Sequence, residues 1–336
     1  MKPLALITGG AGFIGSHLAE ALLERDWAVE VIDDLSTGSI DNIAHLKDRD
    51  GFAYVIDTAM NKPLLAELVD RATVIFHLAA TVGVRLIVDE PVRTIETNIK
   101  VTELVLELAA KKNKPTLVAS TSEVYGKLDS AVFNEEDDVV LGPTSRLRWC
   151  YAASKMIDEF LAIAYAREKG LPVSVVRIFN TIGPRQTGQY GMVVPRFVRQ
   201  ALAGEPITVY GDGSQRRSFT WVGDTVSALM GLIERATAWG HVFNVGHVKE
   251  ISILDLAELV KRMTGSDSPI EFIPFETAYG PGFEDIESRM PDITRLRNEI
   301  GYGPSCDLTQ MLEAIIAYHR PRVASNEAVQ AGVVGL

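Results

Sequence analysis

Two short stretches hold side chains that together can oxidise an alcohol. Thr121 and Glu123 lie in Thr121-Ser-Glu-Val-Tyr-Gly126, and Tyr151 and Lys155 lie in Tyr151-Ala-Ala-Ser-Lys155, 30 residues after Thr121. They supply a hydroxyl, a carboxylate, a phenol and an ammonium. A free phenol has a pKa of about 10, too high for a general base at neutral pH. An ammonium beside it and a positive nicotinamide ring both favour the phenolate and lower that value. Tyr151 is then able to take a hydroxyl proton while a hydride leaves for the nicotinamide, with Thr121 hydrogen-bonded to the same oxygen. The Tyr-x-x-x-Lys spacing puts both side chains on one side of a helix but is common on helices. Its meaning comes from its place, after a strand-end threonine in a dinucleotide fold. Glu123 alone reads as a surface or capping carboxylate; its position two residues after Thr121 argues for a role in the site.

The elements that must position these groups alternate strand and helix. Leu4-Ala-Leu-Ile-Thr8 is a buried-strand pattern, followed by Gly9-Gly-Ala-Gly-Phe-Ile-Gly15 and a helical pattern through Leu18, Leu22 and Leu23. Such a turn lets backbone approach a pyrophosphate and opens a helix whose free N–H groups face it. Gly9, Gly12, Phe13, Ile14 and Gly15 are therefore cofactor candidates. The second strand, Val29-Glu-Val-Ile32, ends in Asp33. An acid there grips the adenosine ribose and repels a 2′-phosphate, so NAD is expected rather than NADP. Asp57, after the third strand, either touches the adenine or caps the next turn. The fourth strand runs through His77, read as a packed residue, into Leu78-Ala79-Ala80 at a carboxyl end, where open α/β sheets bind ligands. Asn98, on the helix from Pro91 to Ala110, is a further cofactor candidate. The fifth strand, Thr116-Leu-Val-Ala-Ser120, delivers Thr121, and Val173-Ser-Val-Val-Arg-Ile178 is the sixth. The expected fold class is α/β, a doubly wound parallel Rossmann sheet over residues 1–179.

Beyond residue 179 the composition shifts to a glycine- and proline-punctuated loop, Asn180 to Gly191, and then to short helices and strands. Asp224–Ala236 and Val242–Val245 are grouped with these. The reading is a smaller C-terminal α+β substrate domain over 180–320, with the chain free to cross between the two domains, and 321–336 a frayed tail. Arginines 185, 216, 217 and 289 lie in its loops, with Arg216 read as solvent-facing.

The 336 residues carry a formal net charge of −11, so nothing suggests nucleic acid or an anionic membrane. No apolar run reaches the roughly 18 residues of a membrane span. The N-terminus enters a strand directly, which is not the pattern of a signal peptide. Two cysteines and six histidines show no ligand or disulfide spacing. A cytoplasmic enzyme without a metal is expected.

Taken together, these motifs resemble the extended short-chain dehydrogenase/reductase family of nucleotide-sugar epimerases, dehydratases and decarboxylases. The carriers are Gly9–Gly15, Asp33, His77–Ala80, Thr121–Gly126, Tyr151–Lys155, Arg177–Arg185, Thr208–Gly213, Arg217 and Arg289-Met-Pro-Asp292, spanning residues 4 to 318. The resemblance implies that Asn180, Arg185, Val193, Tyr210, Arg217 and Arg289 meet a UDP-sugar substrate. It also implies a homodimer through the helices Pro91–Ala110 and Tyr151–Lys169.

Within the family the segments point two ways. His77-Leu-Ala-Ala-Thr-Val-Gly-Val-Arg85 is similar to 4-epimerases, whereas Ala119–Gly126, Phe179–Arg185 and Gly204–Gly211 are similar to UDP-glucuronate decarboxylases. Arg148-Trp-Cys-Tyr151 is also similar to the decarboxylases. In those, the positions matching Thr121, Glu123, Tyr151 and Lys155 act at the sugar. The expected reaction is UDP-glucuronate to UDP-xylose through a 4-keto intermediate, with a UDP-sugar 4-epimerase as the alternative. Ser122, where 4,6-dehydratases resemble Thr-Asp-Glu, argues against dehydration. A non-catalytic nicotinamide sensor has no need of the Tyr/Lys pair.

Overall fold

In the computed structural model, β1 (Leu4–Thr8) and α1 (Phe13–Glu24) flank the glycine turn, and β2 (Ala28–Asp33) and β3 (Phe52–Ile56) follow. The chain continues through α2 (Lys62–Arg71), β4 (Val74–His77), α3 (Pro91–Lys112), β5 (Thr116–Thr121), α4 (Trp149–Lys169) and β6 (Val173–Ile178). The structure describes residues 2–83, 87, 89–188, 191–279 and 290–333, with 326–333 described by backbone alone.

After β6 come β7 (Thr181–Ile182), α5 (Val193–Leu202), β8 (Ile207–Tyr210), β9 (Arg216–Ser218), β10 (Thr220–Trp221) and α6 (Val222–Ile233). Then come β11 (Val242–Val245), β12 (Glu250–Ser252), α7 (Ile253–Thr264), β13 (Ile270–Ile273), α8 (Phe275–Tyr279), α9 (Thr294–Ile300) and α10 (Leu308–Val333). Seven parallel strands form the main sheet in the order β11-β6-β5-β4-β1-β2-β3. The reversal between β1 and β4 leaves a crevice at the carboxyl ends. Each face of the sheet has its own core. Leu18 and Leu22 of α1 pack with Val226 and Leu229 of α6 on one face; Leu65, Val105 and Ala162 of α2, α3 and α4 pack on the other. Burying one such leucine contributes about 1.5–3 kcal/mol.

Within residues 180–320 the chain crosses back to the main sheet. The sequence reading grouped Asp224–Ala236 and Val242–Val245 with the substrate domain. In the structure β11 pairs with β6, from Val242↔Val175 to Val245↔Ile178, and α6 covers the sheet. An unpaired β6 edge would leave its backbone donors and acceptors unmet, and β11, with Phe243 and Val245 buried, closes it. The smaller layer is built by β8 with β13, β9 with β12, and the shared core of α5, α7 and α10. The backbone of α10 runs helical from Leu308 through Pro321 to Val333, over part of the expected tail. No helix among the described residues is long and apolar enough to cross a membrane.

Candidate active site

The turn after β1 is shaped by what its glycines exclude. Gly9 has φ +73°, and a Cβ there would lie 2.8 Å from Ala79 N. A Cβ on Gly15 would lie 2.3 Å from the Gly9 carbonyl oxygen. The helix α1 starts at Gly12 with no side-chain cap, which leaves its first N–H groups for an anion. Gly9, Gly12, Phe13, Ile14 and Gly15 all line one cleft of about 490 Å³. This turn has the shape and the donors that a dinucleotide pyrophosphate needs.

Asp33 ends β2 at the same cleft, its carboxylate accepting from Ala11 N (2.9 Å) and Leu35 N (2.8 Å). Burial raises its pKa, and those two N–H groups oppose the rise. Leu78, Ala79 and Ala80 also line the cleft. Two other cofactor candidates are placed differently. Asp57 accepts from Thr58 N (2.7 Å) and Asn61 Nδ2 (2.9 Å), so it caps the turn before α2 and is not among the lining residues. Asn98 is buried behind the cleft wall: its Oδ1 accepts from Thr81 N (2.8 Å) and its Nδ2 donates to Ser154 Oγ (3.1 Å). It ties the loop after β4 to α4. His77 is a packed residue as expected, hydrogen-bonded to Thr8 Oγ1 (2.8 Å) and Thr102 Oγ1 (2.9 Å), with burial lowering its pKa to about 3.

Thr121, Glu123, Tyr151 and Lys155 converge on this cleft. The Thr121 hydroxyl accepts from Glu123 N (3.2 Å), capping the 3₁₀ turn Ser122–Tyr125, and acts on the Tyr151 phenol to lower its pKa. Behind them, Ser120 Oγ donates to Glu159 Oε1 (2.5 Å), and Arg177 holds Glu159 through Nε and Nη2 (3.0 and 2.8 Å). That buried pair locks α4 to β5 and β6. Lys155 is spent on Asp158, Nζ to Oδ2 at 2.7 Å, with both side chains buried. Lys155 is not among the groups that shift the pKa of the Tyr151 phenol in this structure. Burial first and Glu123 second raise it, Asp158 adds to the rise, and the Thr121 hydroxyl opposes it.

Glu123 is no surface carboxylate: it faces the cleft and meets Arg148 (Oε2 to Nη1, 3.5 Å). Arg148 stacks on Trp149, its guanidinium carbon 4.8 Å from the ring centroid. Arg148 enters the sequence reading only within the Arg148–Tyr151 stretch similar to decarboxylases, with no role of its own; it lies three residues before Tyr151, about one helical turn.

On the other side, Asn180, Val193, Tyr210 and Arg217 line the cleft. Asn180 Nδ2 donates to the Ser218 carbonyl (3.1 Å), and Arg217 Nη1 to the Arg216 carbonyl (2.7 Å). Arg196 was missed. Its guanidinium lies 3.9 Å from the Tyr210 ring centroid, and its Nη2 donates to the Thr208 carbonyl (3.1 Å). Arg185 is a correction: it turns from the cleft and pairs with Glu20 on α1 (2.5 Å). Arg289 lies outside the described residues. No group of three His, Cys, Asp or Glu side chains among the described residues could hold a metal ion.

The family model described as GDP-mannose 4,6 dehydratase matches residues 6–315. The chain belongs to that family. Among curated relatives in this family, a UDP-N-acetyl-alpha-D-glucosaminuronate decarboxylase of Bacillus cytotoxicus is 41% identical over 95% of this chain and 98% of its own. UDP-glucuronic acid decarboxylase 1 of Arabidopsis thaliana is 37% identical over 96% of this chain and 71% of its own. Among solved structures, the UDP-glucuronic acid 4-epimerase of Bacillus cereus, in complex with UDP-glucuronic acid and NAD, superposes with TM-score 0.85 at 29% identity. It covers 94% of this chain and 98% of that one.

Proposed function

We propose that the protein is an NAD-dependent UDP-hexuronate decarboxylase working through a 4-keto sugar, with UDP-glucuronate as substrate and UDP-xylose as product. The observation that carries this reading is the Glu123–Arg148 pair beside the Tyr151 phenol. A cation and a carboxylate beside the phenol assigned to the carbon 4 hydroxyl suit a substrate that carries a carboxylate on the neighbouring carbon. The decarboxylase relatives support the same choice.

The glycine turn, the start of α1 and Asp33 suit NAD. When bound, the oxidised nicotinamide accepts the carbon 4 hydride, later returns it, and sets a positive charge against the raised phenol pKa. Tyr151 takes the carbon 4 hydroxyl proton, and Thr121 holds that oxygen. The carboxylate is then β to a ketone. The bond from carbon 5 to the carboxyl carbon breaks, carbon dioxide leaves, and the electron pair settles on the carbon 4 oxygen, which Thr121 and Tyr151 stabilise. Arg148 orients the carboxylate, and Glu123 orients the water that returns a proton to carbon 5. Arg217 and Asn180 suit the diphosphate, because an arginine fork matches its oxygens. Val193 and Tyr210, with Arg196, suit the nucleoside, and Arg289 is assigned to the same substrate.

A UDP-sugar 4-epimerase is the second reading, favoured by the likeness to the Bacillus cereus epimerase. It shares the oxidation at carbon 4 but has no need of Glu123. Purified protein given NAD and UDP-glucuronate, UDP-N-acetylglucosaminuronate or UDP-glucose separates these. The expected product is UDP-xylose from UDP-glucuronate; UDP-galacturonate alone selects the epimerase, and turnover of only the acetamido sugar moves the substrate.

The assembly proposed is a homodimer through α3 and α4. Val92 and Ile95 on α3, and Ile157 and Phe160 on α4, are exposed, Val92 by 69% and Phe160 by 68%. Apolar surface on two packed helices is what a second copy would cover. A cytoplasmic setting accords with the free thiols of Cys150 and Cys306.

A further inference from the structure

The loop that opens the substrate half of the cleft is fastened to the first helix of the dinucleotide half. Phe13, Ser16, His17 and Glu20 fall on one face of α1, at spacings of three, four and seven. That face meets residues 183–185. His17 Nε2 is 3.0 Å from the Pro184 carbonyl oxygen. Burial lowers the His17 pKa to about 4, so the neutral ring donates this bond at neutral pH. Arg185 Nη2 pairs with Glu20 Oε2 at 2.5 Å, and its Nη1 is 3.5 Å from Ser16 Oγ. His45 Nε2 reaches the other Glu20 oxygen at 3.3 Å. Gly183 packs so closely that a Cβ would lie 3.3 Å from the Phe13 ring and 2.5 Å from Val222.

Arg185 has φ +69°, a left-handed conformation that a residue other than glycine holds only at a cost. Something must hold it there, and the Glu20 carboxylate is the partner its side chain has found. The next two residues, Gln186 and Thr187, line the cleft, and Gln186 Nε2 donates to the Thr181 carbonyl (2.9 Å). The N-cap and first turn of α1 carry Gly12, Phe13, Ile14 and Gly15 of the same cleft. One helix therefore touches the cofactor half with its first turn and the substrate loop with Phe13, His17 and Glu20 along one face.

We propose that Glu20 and Arg185 are positioning residues: their ion pair holds the loop 183–187 on α1 so that Gln186 and Thr187 stand at the nucleotide-sugar half of the cleft. The pair is only partly exposed, 29% at Glu20 and 16% at Arg185, so it is less screened than a surface ion pair. The consequence for ligand binding rests on the reading of that half as a UDP-sugar site; the consequence for the loop backbone does not.

The test is a double-mutant cycle with Arg185→Glu, Glu20→Arg and the combined charge swap, on the full chain with NAD present. Two readouts are taken: amide hydrogen exchange of residues 181–188, and calorimetric affinity for UDP. Each single reversal is expected to speed loop exchange about tenfold and weaken UDP about tenfold, with NAD affinity within about twofold of the parent; the swap recovers most of both losses. Unchanged loop exchange in both single variants overturns the proposal, as does a swap no better than the worse single variant. If the parent protein itself does not bind UDP, the functional reading fails while the exchange data still decide the latch.

Discussion

At the residue scale the informative group is the Tyr151 phenol, because its surroundings oppose its task. Burial and the Glu123 carboxylate keep it protonated, and Lys155 is turned to Asp158. Removing the Glu123 charge lowers the phenol pKa. A base must be deprotonated to act, so the rate rises with pH through that pKa, and lowering the pKa moves the rise to lower pH. Glu123→Gln is therefore expected to shift the midpoint of the single-turnover oxidation profile down by about one unit. A midpoint that stays put or rises contradicts the placement of Glu123. Thr121, Tyr151 and Lys155 were legible in the sequence because strand end and helical spacing bring them together. Asn98 and Arg185 were not: each is polar and near the right place, but its partner, Ser154 or Glu20, is a tertiary neighbour that no local pattern reveals; for Asp57 the sequence left the cap as one of two readings, and Asn61, four residues on, takes that one.

At the element scale two features hold the site in shape. The first is the glycine turn. Gly15→Ala drives a Cβ against the Gly9 carbonyl, and overpacking of that kind costs about 1–3 kcal/mol. Fluorescence titration is expected to show NAD affinity reduced at least about tenfold; parent-like affinity rejects the close fit of turn to ligand. The second is α4, whose buried side includes Lys155, Asp158 and Glu159 while Ile157 and Phe160 face outward. The polar side is inward because Arg177, arriving on β6, neutralises Glu159. Arg177→Ala leaves that buried carboxylate without its cation and is expected to cost about 3–5 kcal/mol in a denaturant titration. A loss below about 1 kcal/mol contradicts the account of this pair.

At the scale of the whole molecule, a parallel sheet and a smaller layer meet along one cleft. The alternation of strand and helix made the doubly wound sheet legible up to β6. The return of α6 and β11 to that sheet was not, since a four-residue apolar strand pairs equally well in either layer until its neighbours are known. Exposed Phe160 gives the assembly a direct check: Phe160→Glu is expected to turn a dimer into a monomer by light scattering at micromolar concentration, and a parent protein already monomeric there contradicts the proposed interface. The reaction itself is tested most directly with UDP-glucuronate labelled at its carboxyl carbon. With catalytic NAD, the account predicts one labelled carbon dioxide per UDP-xylose and no net NADH. Retention of the label in UDP-galacturonate would contradict it.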